Sequence, residues 1–511
     1  MTVNKVGVCW RRVKLCIRRV IVRIEFWRFS FRRKRPIGRV IFLEMMRFTR
    51  DKGTMAIRRT AGWLLAGCLG LLLSSVALAQ SAAPTPSNSN SAPQPVVVGA
   101  QNSSAGSSVA NVTRGVVLPE SLTAIHGYQG VLAETLDGTV VASQAADEKF
   151  NPASAVKLAT AFAALKNFGP DHRFLTSVWA VGTVDRATAT LNGDLVISGR
   201  DPSFRYEHAV MLARQLNNLG IKTVTGNLIV APGFTMNFDW SAQRSGEELR
   251  NSMDSIMRPA GATRAWLDER LMLGDQQSLS SVPGLTITGD VVLGAVPSQA
   301  VPLLTRRSSK LVDILKVLLC YSNNFMAERI GESLGGPDSV RNVLISSFKI
   351  NADELSLATT SGLGVNRVTP RAMMLILRGL RDELRKNNLK LSDILPVAGI
   401  DPGTLEDRYT DATERGSVIA KTGTLVRTDG GASALVGQMN TKSGRVVLFV
   451  IFNQRGSVNS FRGNQDAIVT AIQSAYGGPA PFAYQPIQLS MRLATSDYEA
   501  AKARGEYEPR N

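Results

Sequence analysis

The 511-residue sequence is poor in the side chains that build metal sites and disulfide frameworks: four cysteines and three histidines. Cys9, Cys16 and Cys68 crowd toward the amino end, which leaves Cys320 alone in the long remainder. One cysteine closes no intrachain disulfide, and His126, His172 and His208 follow no metal-ligand spacing. A zinc hydrolase is therefore not expected, and no metal is assigned. Acidic residues are scarce only locally. The net charge of +18 would suit nucleic acid or an anionic membrane, but residues 1–54 hold sixteen Lys and Arg against three acids, and Arg58 and Arg59 add two more. About +3 remains for everything after Ala79, an ordinary balance for a soluble protein. No nucleic-acid partner is implied.

A second start follows that basic stretch. From Met55 the chain reads MAIRRTAGWLLAGCLGLLLSSVALAQ, a positive n-region, an apolar stretch and Ala77-Leu78-Ala79 before Gln80, the layout of a secretory signal peptide. Residues 1–54 then read as an extended start, with a basic membrane-contacting arm as the rival reading. Leu65-Ala66-Gly67-Cys68 resembles a lipoprotein cleavage box, so membrane anchorage is expected only if Cys68 is lipidated. Residues 80–115, rich in Ser, Ala, Pro and Asn, read as a flexible linker. The rest is long enough for two domains.

Gly130 to Ser143 reads as two strands around an Asp137-Gly138 turn, and FNPASAVKLATAFAALKNFG (150–169) as a helix from Pro152 to a Gly169 stop. Far along the chain, 416–425, 430–440 and 445–454 read as strands and 464–477 as a helix. Strands at both ends with helices between predict an α/β (α+β) fold, one antiparallel sheet sewn from both ends. The middle repeats Gly followed by Asp or Asn and then an apolar run, at Gly193, Gly226 and Gly289. The irregular spacing predicts an inserted β-rich domain over 175–300 rather than a solenoid. The flanking stretches 116–174 and 301–480 then form the second domain, with 481–511 as a C-terminal tail.

The helix at 150–169 carries the first chemical signal. Ser154 and Lys157 stand one turn apart on one face, in a run apolar enough that the lysine should be buried. A dry site can depress a lysine from its ordinary value near 10.4 until it serves as a base for the serine, with no histidine required. The plain alternative is a lysine that snorkels to solvent, and Ser346 and Lys349 repeat the spacing elsewhere. Ser322 and Asn324 open a second helix after an apolar run, and Lys421-Thr422-Gly423 ends an alternating strand, where glycine would admit a close substrate backbone. These three motifs, in this order and on these elements, form the set found in class A β-lactamases and penicillin-binding proteins.

Within that superfamily the chain resembles the class C low-molecular-mass penicillin-binding proteins, the D-alanyl-D-alanine carboxypeptidase/endopeptidase family, over about residues 118 to 480. The stretches that carry the likeness are NPASAVKL, SGRDPSF (198–204), YSNNFMAE, TTSGLGVNRVTPRAM (359–373) and KTGTL. The family carries an insert between its first two motifs, which class A β-lactamases lack. Asn323 stands where Asp is usual and Thr424 where Ser is usual, and the insert is shorter than the family's. The resemblance implies a transpeptidase-like fold and acyl transfer on peptidoglycan stem peptides, with β-lactam antibiotics as acylating ligands and no cofactor. It implies Ser154 as nucleophile, Lys157 as base, Ser322 as proton relay, Asn324 as orienting group and Lys421 as positive partner. Lys421 and Thr422 would receive the terminal carboxylate of the peptide or of a β-lactam, Gly423 and Thr424 would also bind substrate, and the N–H groups of Ser154 and Thr424 would form the oxyanion hole. Asp201 would bind a diaminopimelate amine or simply make an Asp-Pro turn, and Arg367 would neutralise a substrate carboxylate or cap the sheet edge. Cys320 reads as a packed hydrophobe. An exported wall-binding protein with little turnover is the alternative of another class, and periplasmic location is expected. If the signal is read correctly, N-terminal sequencing of envelope protein returns a chain beginning at Gln80; a chain retaining residues 1–54, or a lipid-modified Cys68 terminus, contradicts it.

Overall fold

The computed structural model describes residues 115–501. The basic stretch, the signal segment with Cys68 and nearly all of the linker lie outside the described residues. The expected hairpin forms as β1 (Tyr128–Thr135) and β2 (Val140–Gln144), its turn held by Thr139 N–H donating to Asp137 Oδ1 at 3.0 Å. A 3-10 turn at Ala153–Ala155 leads into α1 (Val156–Phe168). Val156 through Leu165 are all buried. A helix apolar around its whole circumference must be enclosed, not laid on a surface, and α1 runs through the middle of the largest core cluster.

The insert follows. β3 (Leu175–Asp185) and β4 (Thr190–Gly199) make a long hairpin. Then come α2 (Tyr206–Asn218), β5 (Thr223–Val224), β6 (Leu228–Val230), α3 (Ala242–Met253), α4 (Ala260–Met272), β7 (Thr286–Ile287), β8 (Val291–Leu293) and β9 (Val301–Arg307). The three Gly-Asp/Asn echoes are consecutive rungs of a parallel ladder in which β4, β5–β6 and β7–β8 stack. Gly226 N–H donates to Gly193 O at 2.9 Å and Gly289 N–H to Gly226 O at 3.0 Å. The Asp194 carboxylate accepts from Asn227 N–H, and the Asn227 side chain from Asp290 N–H. A side chain at Gly226 would meet Gly193 O at 2.6 Å, which is why each rung turns on glycine. The expected strand entries thus stack as a short ladder, and three helices make the insert α/β rather than simply β-rich.

Beyond it lie α5 (Leu311–Tyr321), α6 (Asn324–Ser333), α7 (Gly336–Phe348), the short pair β10 (Leu355–Ser356) and β11 (Arg367–Val368), and α8 (Pro370–Lys386). The strands β12 (Val418–Leu425), β13 (Ala432–Asn440) and β14 (Val446–Gln454) complete a five-stranded antiparallel sheet, ordered β12-β13-β14-β1-β2. Pairing of β1 with β14 sews the two chain ends together. Side chains alternate across this sheet. Leu132, Val436, Val450 and Phe452 face the core around α1, α5 and α8. Val131, Leu435, Phe449 and Ile451 face α9 (Val458–Ala475), which starts six residues before the predicted 464.

Two domain boundaries need correction. β9 belongs to the insert's sheet, pairing with β3. The expected tail is not separate either: α10 (Leu489–Ala494) buries Leu489 and Leu493 in the α1 core, and β15 (Asp497–Ala500) pairs with β9. Covering the β9 edge removes a row of unpaired backbone groups. No helix among the described residues is long and apolar enough to cross a membrane.

A buried ion pair ties the loop after α8 to this frame. Lys316, fully buried on α5, donates to Asp401 Oδ2 at 2.7 Å and to the carbonyls of Ser392 and Leu395. Asp401 also accepts from Val397 N–H and the Tyr484 hydroxyl. Removing one member leaves an uncompensated buried charge, so Asp401→Asn should lower unfolding stability by about 3–5 kcal/mol. A urea midpoint equal to the parent's would show that the pair does not hold this loop.

Candidate active site

The first motif is shaped before its chemistry begins. Asn151, wholly buried, accepts Ala153 N–H at 3.0 Å and donates to Gly364 O and to Asp429 Oδ2. Ala153 takes a left-handed φ of 46°, a conformation that persists only where surroundings enforce it. The enforcement comes from two glycines. A Cβ at Gly362 would meet Ala153 O at 2.0 Å, and one at Gly423 would meet Pro152 O at 2.6 Å. Gly423 therefore admits the nucleophile's own turn, not the substrate backbone expected there.

Lys157 lies one helical turn past Ser154 and is wholly buried, so the snorkelling alternative does not hold. Its Nζ sits 3.0 Å from Ser154 Oγ, 2.7 Å from Asn324 Oδ1 and 2.6 Å from Ser361 O. The last two atoms can only accept. A neutral amine gives its two N–H groups to them and turns its lone pair to the serine hydroxyl. Burial pushes the amine down to about 7 against the pull of the Glu328 carboxylate. Glu328, one turn after Asn324, also accepts from Thr360 and Ser361 N–H and so fixes the carbonyl that Lys157 uses.

The second motif sits between two helices. Ser322 ends α5 with φ 54° and ψ 40°. Asn323 accepts Met326 N–H at 3.0 Å and caps α6, a task that Asn and Asp perform equally. Asn324 then opens that helix. Lys421, wholly buried, donates to Ser322 Oγ at 2.9 Å and to Thr422 O at 2.6 Å. Burial and the neighbouring Lys157 charge both push it well below a lysine's ordinary value. That environment disfavours the fixed positive charge expected of Lys421. Cys320, buried beside the motif, has its thiol pushed up to about 12 by burial, which keeps it protonated and poorly nucleophilic.

Ser154, Ser322, Asn324, Thr422 and Thr424 share a cleft of about 520 Å³. Its other wall is Gly403, Thr404, Asp407 and Arg408 from the loop after α8, with Arg462 and Asp466 from α9. Ala420 N–H points to the outer edge of β12, where it meets Pro396 O. By strand alternation the N–H groups of Thr422 and Thr424 point the same way, away from β13.

Five expected site residues are thus brought together, and the three of the strand lie with them. Two others are not. Asp201 is buried in the insert, where its Oδ1 accepts from Ser203 N–H and Oγ and its Oδ2 from Arg306. With both oxygens engaged it makes the Asp-Pro turn and does not present a carboxylate to the cleft. Arg367 forms a two-bond ion pair with Asp429 at 2.9 Å for each contact. Through Asp429 it braces Asn151 and the nucleophile's turn, which is neither of the roles expected for it. The decoy Ser346 is exposed and bonds the Val343 carbonyl. Sequence reasoning missed Asn151, Glu328 and Arg462; the helical spacing from Asn324 to Glu328 was the one available signal. It also missed a buried group of Glu207, His208 and Glu269 in the insert. Arg205 and Arg270 pair with the two carboxylates and, with Arg306, supply the positive charge a cation would otherwise bring.

Comparison with known proteins bears on the fold and the family. The model of the D-Ala-D-Ala carboxypeptidase 3 (S13) family matches residues 123–279 and 257–474. A carboxypeptidase of Mycobacterium tuberculosis is 26% identical over 407 residues, covering 74% of this chain and 86% of its own. A D-alanyl-D-alanine carboxypeptidase of Actinomadura is 27% identical over 452 residues, covering 69% and 82%. Among solved structures, a predatory peptidoglycan endopeptidase of Bdellovibrio bacteriovorus superposes with a TM-score of 0.60 at 20% identity, over 74% of this chain and all of its own. Penicillin-binding protein 4 of Haemophilus influenzae gives 0.52 at 21% identity, over 70% and 98%.

A base held near 7 has a signature. Only neutral Lys157 can accept a proton, so acylation of Ser154 should rise about tenfold from pH 5 to 6 and level off above about 8. A rate that is flat with pH, or that rises only near 10, would remove Lys157 from that role.

Proposed function

Because the chain belongs to the D-Ala-D-Ala carboxypeptidase 3 (S13) family, a family of serine-type peptidases, we propose that it cleaves peptidoglycan stem peptides through an acyl-enzyme on Ser154. The observation that carries this reading is the Lys157 amine, whose two other partners are pure acceptors and whose lone pair is left to the Ser154 hydroxyl.

Ser154 Oγ attacks the carbonyl carbon of the penultimate D-Ala, and its proton passes to Lys157. The carbonyl oxygen takes the negative charge and is met by the N–H groups of Ser154 and Thr424; losing one such donor costs roughly 3–4 kcal/mol of barrier. As the C–N bond breaks, the leaving nitrogen takes a proton through Ser322, which Lys421 holds at 2.9 Å. Burial pushes both lysines toward the neutral form, which favours proton movement between them and Ser322 over a fixed charge. Asn324 holds the Lys157 amine and offers its amide to the substrate backbone. Water attacks the ester carbonyl while Lys157 takes its proton, and as the acyl C–O bond breaks Lys157 returns that proton to Ser154 Oγ.

β-Lactams follow the same first step, and a Bdellovibrio endopeptidase of the same fold has been seen acylated by penicillin G. Export to the periplasm by the segment from Met55 to Ala79 fits a peptidoglycan substrate. Ser154→Ala should abolish both D-Ala release and fluorescent penicillin labelling, while Ser346→Ala changes neither. An inactive Ser346→Ala with active Ser154→Ala would move the nucleophile and overturn the reading.

A further inference from the structure

The loop that joins β6 to α3 reaches from the insert to the second motif, and its backbone is strained where it does so. Asn237 and Phe238 stand side by side in the left-handed region, at φ 53° and 62°, a conformation that a bulky side chain keeps only where its surroundings enforce it. The enforcement is polar. Asn237 N–H donates to Phe204 O at 2.9 Å, its Oδ1 accepts Tyr206 N–H at 3.1 Å and its Nδ2 donates to Glu248 Oε2 at 2.8 Å. Met236 N–H is held by Ser245 Oγ, and Asp239 accepts from both Ser241 N–H and the Arg244 guanidinium.

This turn brings two aromatic rings to α6, one residue past Asn324. Phe238 and Trp240 meet Phe325 edge to face, with centroids 6.0 and 4.9 Å away. The Arg329 guanidinium lies over the rings of Phe325 and Trp240, at 5.2 and 5.7 Å. Phe325 is buried by this packing, yet Trp240 stays 54% exposed. An isolated apolar side chain at the surface needs no explanation. Trp240 is not isolated: a ring and a cation support it, and the turn beneath it is too well bonded to let it collapse. The platform adjoins the cleft through the step from Asn324, which lines the cleft, to Phe325.

The chemistry of the platform selects its occupant. An aromatic face carries negative charge density and repels a carboxylate, and the place a cation would take on these rings is already filled by Arg329. The charged groups of a stem peptide therefore fit it poorly. A pyranose ring is neutral and presents a face of weakly positive C–H groups, which an indole face complements. The stem peptides of peptidoglycan hang from a strand of such rings. We propose that Trp240, held over Phe325 by the strained turn of the insert, is a saccharide subsite that takes a sugar ring of the glycan strand whose stem peptide is cleaved at Ser154. The proposal rests on the acyl-enzyme reading and adds to it the carbohydrate part of the substrate.

The test compares D-Ala release from one pentapeptide in two forms, free and carried on its N-acetylglucosaminyl-N-acetylmuramyl disaccharide, by the parent chain, Trp240→Ala and Trp240→Phe. Fluorescent penicillin counts the folded, competent molecules of each chain, so rates are compared per labelled Ser154. The parent should favour the disaccharide form in kcat/KM. Trp240→Ala should shrink that preference by about three- to tenfold, the range expected of one aromatic stacking contact, through KM rather than kcat. Trp240→Phe, which keeps an aromatic face of smaller area, should retain part of it. A parent indifferent to the disaccharide, or a preference unchanged in Trp240→Ala, overturns the proposal. An equal loss on both forms overturns it too, and assigns the platform to the peptide. A parent chain that is not labelled at Ser154 and releases no D-Ala refutes instead the acyl-enzyme reading beneath it.

Discussion

Two lysine amines are buried close enough that the charge of one disfavours the charge of the other, and the rest of the site follows from that constraint. Desolvation alone would drive each toward neutrality, and the charge of one works against the charge of the other. The neighbouring side chains decide where the lone pairs point. Asn324 Oδ1 and Ser361 O take the N–H groups of Lys157, and Glu328 stops short of ion pairing with it by spending its oxygens on the backbone at 360–361. A direct carboxylate partner would have made Lys157 a permanent cation and a useless base. The acid is near enough to be felt and too occupied to capture the proton.

The apolar packing around α1 exists to make that desolvation possible, and it has a mechanical consequence. A helix enclosed on all sides leaves its entrance no room, so the turn carrying Ser154 is forced through a left-handed Ala153 between Gly362 and Gly423. Ser322 takes a second left-handed conformation at the junction of α5 and α6. Each such residue stores on the order of 1–3 kcal/mol. These two of the eleven non-glycine residues with positive φ among the described residues lie at the first two motifs, and both are braced from outside: the first by Asn151, Asp429 and Arg367, the second by Lys421 and the Asn323 cap.

The insert and the C-terminal segment hold the frame at its other edge. The three-rung ladder gives the insert its own core, while β15 closes the edge at β9 and α10 packs back beside α5. Tyr484, from the same C-terminal segment, bonds Asp401, so the loop forming the far wall of the cleft is tied to the end of the described chain. That wall is also held by the Arg408–Asp466 pair and by Thr404 N–H donating to Cys320 O at 2.9 Å.

Much of this was legible in the sequence because it is written in local patterns. Asp137-Gly138 fixes a hairpin, Gly169 a helix end, and period-two runs name β12, β13 and β14. The order of SxxK, SxN and KTG names the reacting groups, since each motif needs only residues a turn or a strand step apart. The start of α9 was set too late because no side chain marks its N-terminus: Ser457 makes no capping bond. What only the tertiary structure decided are the contacts between residues far apart in the chain. Arg306 takes Asp201 from the cleft, Asp429 takes Arg367, and Arg462 reaches Thr424. Periodicity states which face of an element is buried and says nothing about which distant charge will be waiting there. Lys157 read as a base and Lys421 as a positive partner; only folding buries both amines and brings each its own acceptors, because those acceptors come from distant parts of the chain.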